Sequence, residues 1–170
     1  MKLNLGCGKE ILSGYVNVDK LRLSGVDIVH NLDNFPYPFK DNSVDEIFVS
    51  HFLEHVQDLP RVMEEFGRIC KNGAVIKIRV PHFSCGVTYR DPTHKTFFSY
   101  FTFDYFTDEC FYSLGKFVVR KRKLNFTRQA WPFLNYFINP FVNFSPLLYE
   151  RFFCWIFPVA EIIAELEVKK

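Results

Sequence analysis

Two glycines and an acid open this chain at a spacing that suits a nucleoside. Leu3-Asn4-Leu5-Gly6-Cys7-Gly8 reads as a short buried strand running into a glycine turn, and Tyr15-Val16-Asn17-Val18-Asp19 as a second strand ending in a carboxylate. Glycine is needed where φ must turn positive, or where a ligand must come closer than a Cβ allows. In an open α/β sheet such a turn sits at the carboxyl end of the first strand, where ligands bind. The glycines would admit the charged part of a cofactor, and Asp19 would accept hydrogen bonds from a ribose diol. The pattern is not the dinucleotide one, which wants G-x-G-x-x-G with an acid about 20 residues on.

A second group of chemical residues follows. His51-Phe52-Leu53-Glu54-His55 spells H-x-x-E-H, the inverted zinc-peptidase motif. On one helix, His51 and His55 would share a face and could hold zinc, with Glu54 as base. Here the motif directly follows a strand, so the expectation is no metal at His51 and His55. A zinc hydrolase using His51, Glu54 and His55 stands as an alternative. His82 and the run Arg90-Asp91-Pro92-Thr93-His94 follow a later strand. Asp91-Pro92-Thr93 also fits an Asx-type turn.

The positioning elements can be read in order. Val26–His30 is a third strand and Val44–Ser50 a fourth, separated by the proline-rich Phe35–Phe39 and a turn at Lys40–Ser43. Phe52–Cys70 carries apolar residues at threes and fours, which predicts a helix, closed by Asn72-Gly73. Ala74–Val80 is a fifth strand. Thr107-Asp108-Glu109 signals a helix within Phe101–Leu114. Phe117–Leu124 reads as strand six and Glu161–Val168 as a final strand. Residues 128–158 are aromatic and broken by prolines, which predicts helix in short pieces. Only nine residues separate the first two strands, too few for a regular crossover helix, so that helix is a single turn or missing.

The chain of 170 residues predicts one domain, 48% hydrophobic and 24% charged. Its five cysteines are widely spaced with no C-x-x-C, which fits a reducing compartment and argues against a disulfide framework or a cysteine zinc site. Strand-like sequence from Lys2 argues against a signal peptide. A net charge of +2 does not decide for nucleic acid. The basic run Arg120–Lys123 splits between two strand faces, so no nucleic-acid partner is expected. Gln129–Tyr149 is 21 residues without a formal charge, but its prolines and asparagines argue against a spanning helix.

Taken together, Leu3–Gly8, Val18-Asp19, Pro38–Asp45 and Leu53-Glu54-His55 resemble class I S-adenosylmethionine-dependent methyltransferases, nearest to the small domains of that kind associated with cell-envelope polysaccharides. The resemblance covers residues 3 to about 83 and resumes at Arg90–Lys95. It implies a Rossmann-like α/β sheet, mostly parallel with an antiparallel C-terminal strand, in three αβα layers. It implies S-adenosylmethionine as cofactor, with Gly6 and Gly8 under its methionine half, Asp19 at the ribose, and Asn4 and Cys7 among the residues that bind it. Asn31, Leu32 and Asp33 would flank adenine, and Ser50 and His51 would face the sulfonium. Asn4 stands where the family has an acid, and Glu10 where it has a third glycine.

Methyl transfer is an in-line displacement, for which an enzyme mainly aligns the reactants and excludes water. A hydroxyl or amine acceptor also needs a base. His94 beside Asp91 is the first candidate, with His51 and His82 behind it. The implied function is methyl transfer to a small-molecule acceptor, a glycan or lipid-linked precursor. A catalytically silent binding domain is the alternative. The expected compartment is the cytoplasm. Residues 128–158 must join strand six to the last strand at the cofactor edge. They are therefore expected to form a lid that contributes the acceptor pocket or docks on a membrane surface.

Overall fold

The computed structural model describes residues 1–108, 117–129 and 131–170. Seven strands form one sheet in the order β3-β2-β1-β4-β5-β7-β6. In chain order they are β1 (Lys2–Leu5), β2 (Val16–Asp19), β3 (Ile28–Val29), β4 (Val44–Ser50), β5 (Cys70–Pro81), β6 (Phe117–Asn125) and β7 (Glu161–Val168). The first five strands pair in parallel, while β7 runs antiparallel between β5 and β6. β6 is therefore parallel to β5, as expected. The carboxyl ends of the parallel strands and the start of β7 share one edge, where Pro81 pairs with Glu161.

Short apolar strands at the centre of the sheet are buried on both faces, which explains the fully buried Leu3, Leu5, Val18, Ile47 and Val49. No helix joins β1 to β2, as the nine-residue spacing requires. The crossover from β4 to β5 carries α1 (Leu59–Ile69), which lays Val62, Met63, Phe66 and Ile69 on the sheet. Periodicity predicts one helix from Phe52, but the chain breaks it in two. A 3₁₀ turn covers Leu53–His55, and Asp58 then caps α1 by accepting from the Arg61 N–H, with Pro60 in the first turn.

Asn72-Gly73 does not close α1. The helix ends at Ile69, and β5 begins at once. Val44 pairs with Cys70 and Glu46 with Val75, so the intervening residues loop out of register around Gly73, whose φ is +78°. A short helix α2 (Gly86–Arg90) follows β5, and a 3₁₀ turn covers Thr102–Phe106. The helix expected within Phe101–Leu114 lies partly outside the described residues. Phe98, Phe103 and Phe117 complete the core.

The segment after β6 forms α3 (Leu134–Phe144), α4 (Pro146–Leu148) and a π turn at Tyr149–Phe153. At its start, Arg128 lies 3.9 Å from Glu10 in the turn after β1. α3 packs against the carboxyl end of β6 through Asn135, Asn139 and Asn143, which share one face at i, i+4 and i+8. Their side-chain oxygens accept from the backbone N–H groups of Thr127, Phe126 and Leu124 at 2.9, 2.8 and 2.7 Å. Their amides donate to the Thr127 carbonyl, Asn125 Oδ1 and the Leu124 carbonyl at 2.8, 3.0 and 2.8 Å. The face of this helix toward β6 thus combines a polar ladder with the buried Val142 and the half-buried Ile138. Its rings turn outward, with Tyr136 80% and Phe144 90% exposed. No helix among the described residues is long and apolar enough to cross a membrane.

Candidate active site

The glycine turn after β1 and the acid after β2 are joined by hydrogen bonds. Gly8 N–H donates to Asp19 Oδ2 at 2.8 Å, and Leu21 N–H to Asp19 Oδ1 at 2.9 Å. Each carboxylate oxygen keeps a second lone pair for a diol. The two glycines serve different ends. Gly6 has φ +66°, and a Cβ there would lie 2.4 Å from the Phe52 ring. Gly8 has φ +49° and open space where its Cβ would be. The Gly6 site lets Phe52 pack, while the Gly8 site leaves room for a ligand.

These residues line a cleft of about 670 Å³ together with Lys20, Leu21, His30, Asn31, Leu32, Asp33, His51, Phe52, His55, Gln57, Thr93 and Lys95. Asn31, Leu32 and Asp33 stand where the sequence places them. Asp33 Oδ1 accepts from the Gln57 N–H at 2.9 Å, which ties the loop after β3 to the start of α1.

Three of the cofactor candidates lie elsewhere. Asn4 is buried, and its amide donates to the Glu10 carbonyl at 2.7 Å and Asn17 Oδ1 at 2.9 Å, so it braces the helix-free turn between β1 and β2. Cys7 is buried, with its thiol turned to the Gly8 carbonyl and its pKa pushed up to about 11 by burial. Ser50 lines neither this cleft nor its neighbour, and its hydroxyl has no partner.

A second cleft, about 470 Å³, adjoins the first. It is lined by Glu54, Pro81, Cys85, Arg90, Asp91, His94, Arg128, Gln129 and Glu161, and it shares His51 and His55 with the cofactor-side cleft. Arg128 and Gln129 are the contribution of the 128–158 segment to its walls; none of that segment's rings reaches either cleft.

His51 holds the junction. Its φ of +52° is left-handed for a non-glycine residue, a conformation that surrounding contacts must enforce. Nε2 lies 3.2 Å from Glu161 Oε2, and Nδ1 lies 3.4 Å from Glu54 Oε1. Burial alone would lower its pKa, but the hydrogen bonds to Glu161 and Glu54 outweigh burial and the net shift is upward. Glu161 is the counterpart. Burial pushes it up, bonds from His51 and Asn125 pull it down, and it ends below the usual carboxylate range. Sequence reasoning missed Glu161. Its signal was its place as first residue of a strand that starts on the cofactor edge.

His94 donates Nδ1–H to the Thr88 carbonyl at 2.9 Å, which leaves its Nε2 lone pair 3.8 Å from Asp91 Oδ2. Asp91 Oδ1 accepts from the Thr93 N–H and hydroxyl at 2.9 and 2.7 Å. The Asx turn and the histidine pair therefore coexist, and the bonds from Thr93 hold Asp91 below the usual carboxylate range. His82 lines neither cleft. Its ring is fully buried, with Nδ1 2.8 Å from Ser84 Oγ and Nε2 3.1 Å from Glu150 Oε1. It locks the loop after β5 to the π turn.

Comparison with known proteins fits this geometry. Residues 3–78 match the model of a methyltransferase domain family. A crystal structure of an S-adenosylmethionine-dependent methyltransferase from Archaeoglobus fulgidus superposes with TM-score 0.61 at 20% identity, over 98% of this chain and 85% of that one. This is the Rossmann-like methyltransferase fold. An enzyme of the same description from Mesorhizobium loti aligns with TM-score 0.60 at 12% identity, over 98% of this chain and 89% of that one. The methyltransferase fold is shared as well by the [4+2]-cyclase SpnF, with TM-score 0.62 at 11% identity, over 99% of this chain and 75% of that one. No curated protein matches the chain. At these identities the likeness fixes the fold, and chemistry must be argued from the site.

Proposed function

We propose that this chain transfers a methyl group from S-adenosylmethionine to a hydroxyl of a small acceptor carried at a lipid surface. The observation that carries the reading is the junction of the two clefts at His51 and His55. One cleft has the open space over Gly8 and the spare lone pairs of Asp19, which suit the cofactor's methionine and ribose parts. The other has an oriented His94–Asp91 pair at which an acceptor's proton can leave. A sulfonium at the junction would have the acceptor on its far side, as in-line displacement needs. His51, held by Glu161 and Glu54 through both ring nitrogens, is suited to positioning the acceptor rather than removing its proton.

The lipid surface is supported by the reversed helix α3. Between Gln129 and Tyr149 there is no formal charge. The acid of the following turn, Glu150, faces inward to His82 and to the Tyr100 N–H, leaving Arg128 and Arg151 as the cations of residues 128–158. A broad aromatic face with Arg151 over the exposed Phe152 ring suits an anionic bilayer interface. Arg90 and Arg128 on the acceptor cleft suit the phosphate of a lipid-linked glycan precursor. The test is transfer of labelled methyl from the cofactor into two fractions of cell extract. Label in the organic-extractable glycolipid fraction is expected. Label confined to water-soluble metabolites would remove the lipid part of the reading, and no label in either would remove the transfer.

A further inference from the structure

Glu54, His55 and His94 converge on the wall between the clefts, where one ligand atom from each lies within 4.8 Å of the others. Their partners say more than their proximity. Glu54 is 1% exposed, and its Oε2 has no hydrogen-bond partner, a costly state for a buried carboxylate oxygen. His94 spends its Nδ1 proton on the Thr88 carbonyl, so its lone pair is on Nε2. His55 Nδ1 lies 2.9 Å from Thr93 Oγ1, and that hydroxyl gives its own proton to Asp91. Thr93 can therefore only accept from His55, whose lone pair is left on Nε2. Each imidazole is backed by an oxygen, in the way that metal-ligating histidines are oriented.

We propose that Glu54, His55 and His94 bind a divalent transition-metal cation with an open position facing the acceptor cleft. Two imidazoles and one carboxylate suit a borderline cation such as zinc and match a catalytic rather than a structural ligand count. Bonds of roughly 2.1 Å would draw the three atoms in by about an ångström. This is not the ligand set that H-x-x-E-H spells. His51 is engaged with Glu161, and His94 supplies the second imidazole.

The proposal deepens the methyl-transfer reading and rests on it for its consequence. A hydroxyl bound at the open position becomes more acidic. Its proton passes to Asp91 Oδ2. The oxygen's electron pair forms the bond to the methyl carbon as the carbon–sulfur bond breaks, and the released pair stays on sulfur in S-adenosylhomocysteine. With the cation bound, His94 is a ligand and Asp91 the base.

The experiment uses the untagged full chain, stripped by a chelator and titrated with zinc chloride alone by calorimetry, with cobalt(II) absorption as a second readout. One ion per chain is expected, with binding at least tenfold weaker in Glu54→Gln and in His94→Ala. Thr93→Val, which removes the oxygen behind His55, should weaken binding several-fold and serves if either ligand variant fails to fold. Wild type that takes up no zinc, or variants that bind as wild type does, would overturn the proposal. Asp19→Ala separates the two readings. It should keep zinc and bind S-adenosylhomocysteine more weakly. Wild type that binds zinc but no S-adenosylhomocysteine would leave the metal site standing and remove the methyl transfer.

Discussion

Gly8 N–H and Asp19 Oδ2 are 2.8 Å apart, so the turn after β1 and the acid ending β2 form one hydrogen-bonded unit. Replacing Asp19 with Ala removes the acceptor for Gly8 and Leu21 and the lone pairs offered to a ribose. Loss of S-adenosylhomocysteine affinity by about 1 to 3 kcal/mol is expected. Calorimetry on wild type and variant measures it, and equal affinities would count against the cofactor assignment.

The two glycines should separate in their effects. Gly6→Ala places a Cβ 2.4 Å from the Phe52 ring at a positive φ and should destabilise the fold by roughly 2 to 4 kcal/mol. Gly8→Ala meets open space, so its fold cost should stay near about 1 kcal/mol while cofactor binding falls. Chemical denaturation alongside titration distinguishes them. Equal loss of stability in both would contradict the division of roles.

His51 should make stability depend on pH in a defined direction. Its folded pKa is raised, so its contribution is full below the unfolded value of about 6.5 and is lost as pH rises through the folded value. Glu161 is depressed, so its contribution is present above the ordinary carboxylate value and is lost as pH falls through the folded one. The melting-temperature gap between wild type and His51→Gln should be widest between those limits and close on the alkaline side. Thermal melts across the range test this, and a gap independent of pH would argue that the His51–Glu161 pair carries no charge.

The two faces of α3 should respond oppositely. Phe137 and Phe144 are exposed, so Phe137→Ser and Phe144→Ser should leave the melting temperature nearly unchanged but weaken sedimentation with anionic vesicles about tenfold or more. Asn139→Leu leaves the Phe126 N–H without its acceptor and should cost about 1 to 3 kcal/mol of stability. If the phenylalanine variants unfolded instead, the outward face would be core.

The strands were legible because alternating or continuous apolar runs bounded by glycine, proline and acid leave few alternatives, and β7 begins and ends where the sequence places it. Helix boundaries were less legible. The periodicity from Phe52 could not reveal that Asp58 would restart the helix, nor that Gly73 would serve an irregularity in β5 rather than a helix end. In the site, Gly8, Asp19, Asn31, Leu32 and Asp33 follow from strand ends, which local pattern fixes. Glu54 meeting His94, and Glu161 meeting His51, depend on how loops after different strands fold together, and no local pattern carries that. His82 shares its residue type with the site but is spent on Ser84 and Glu150.

The outer strand β6 also bears on self-association. Nine residues at a sheet edge form a template to which another copy could add a strand. Here Arg120, Lys121 and Arg122 are tied to Glu167, Glu165 and Asp104, and Lys123 extends the run. Two such edges brought side by side would set cation against cation. At its far end the asparagines of α3 already occupy the backbone groups of Leu124, Phe126 and Thr127. The opposite edge, β3, offers only Ile28 and Val29. A chain with so many outward rings is therefore guarded against polymerising through its sheet.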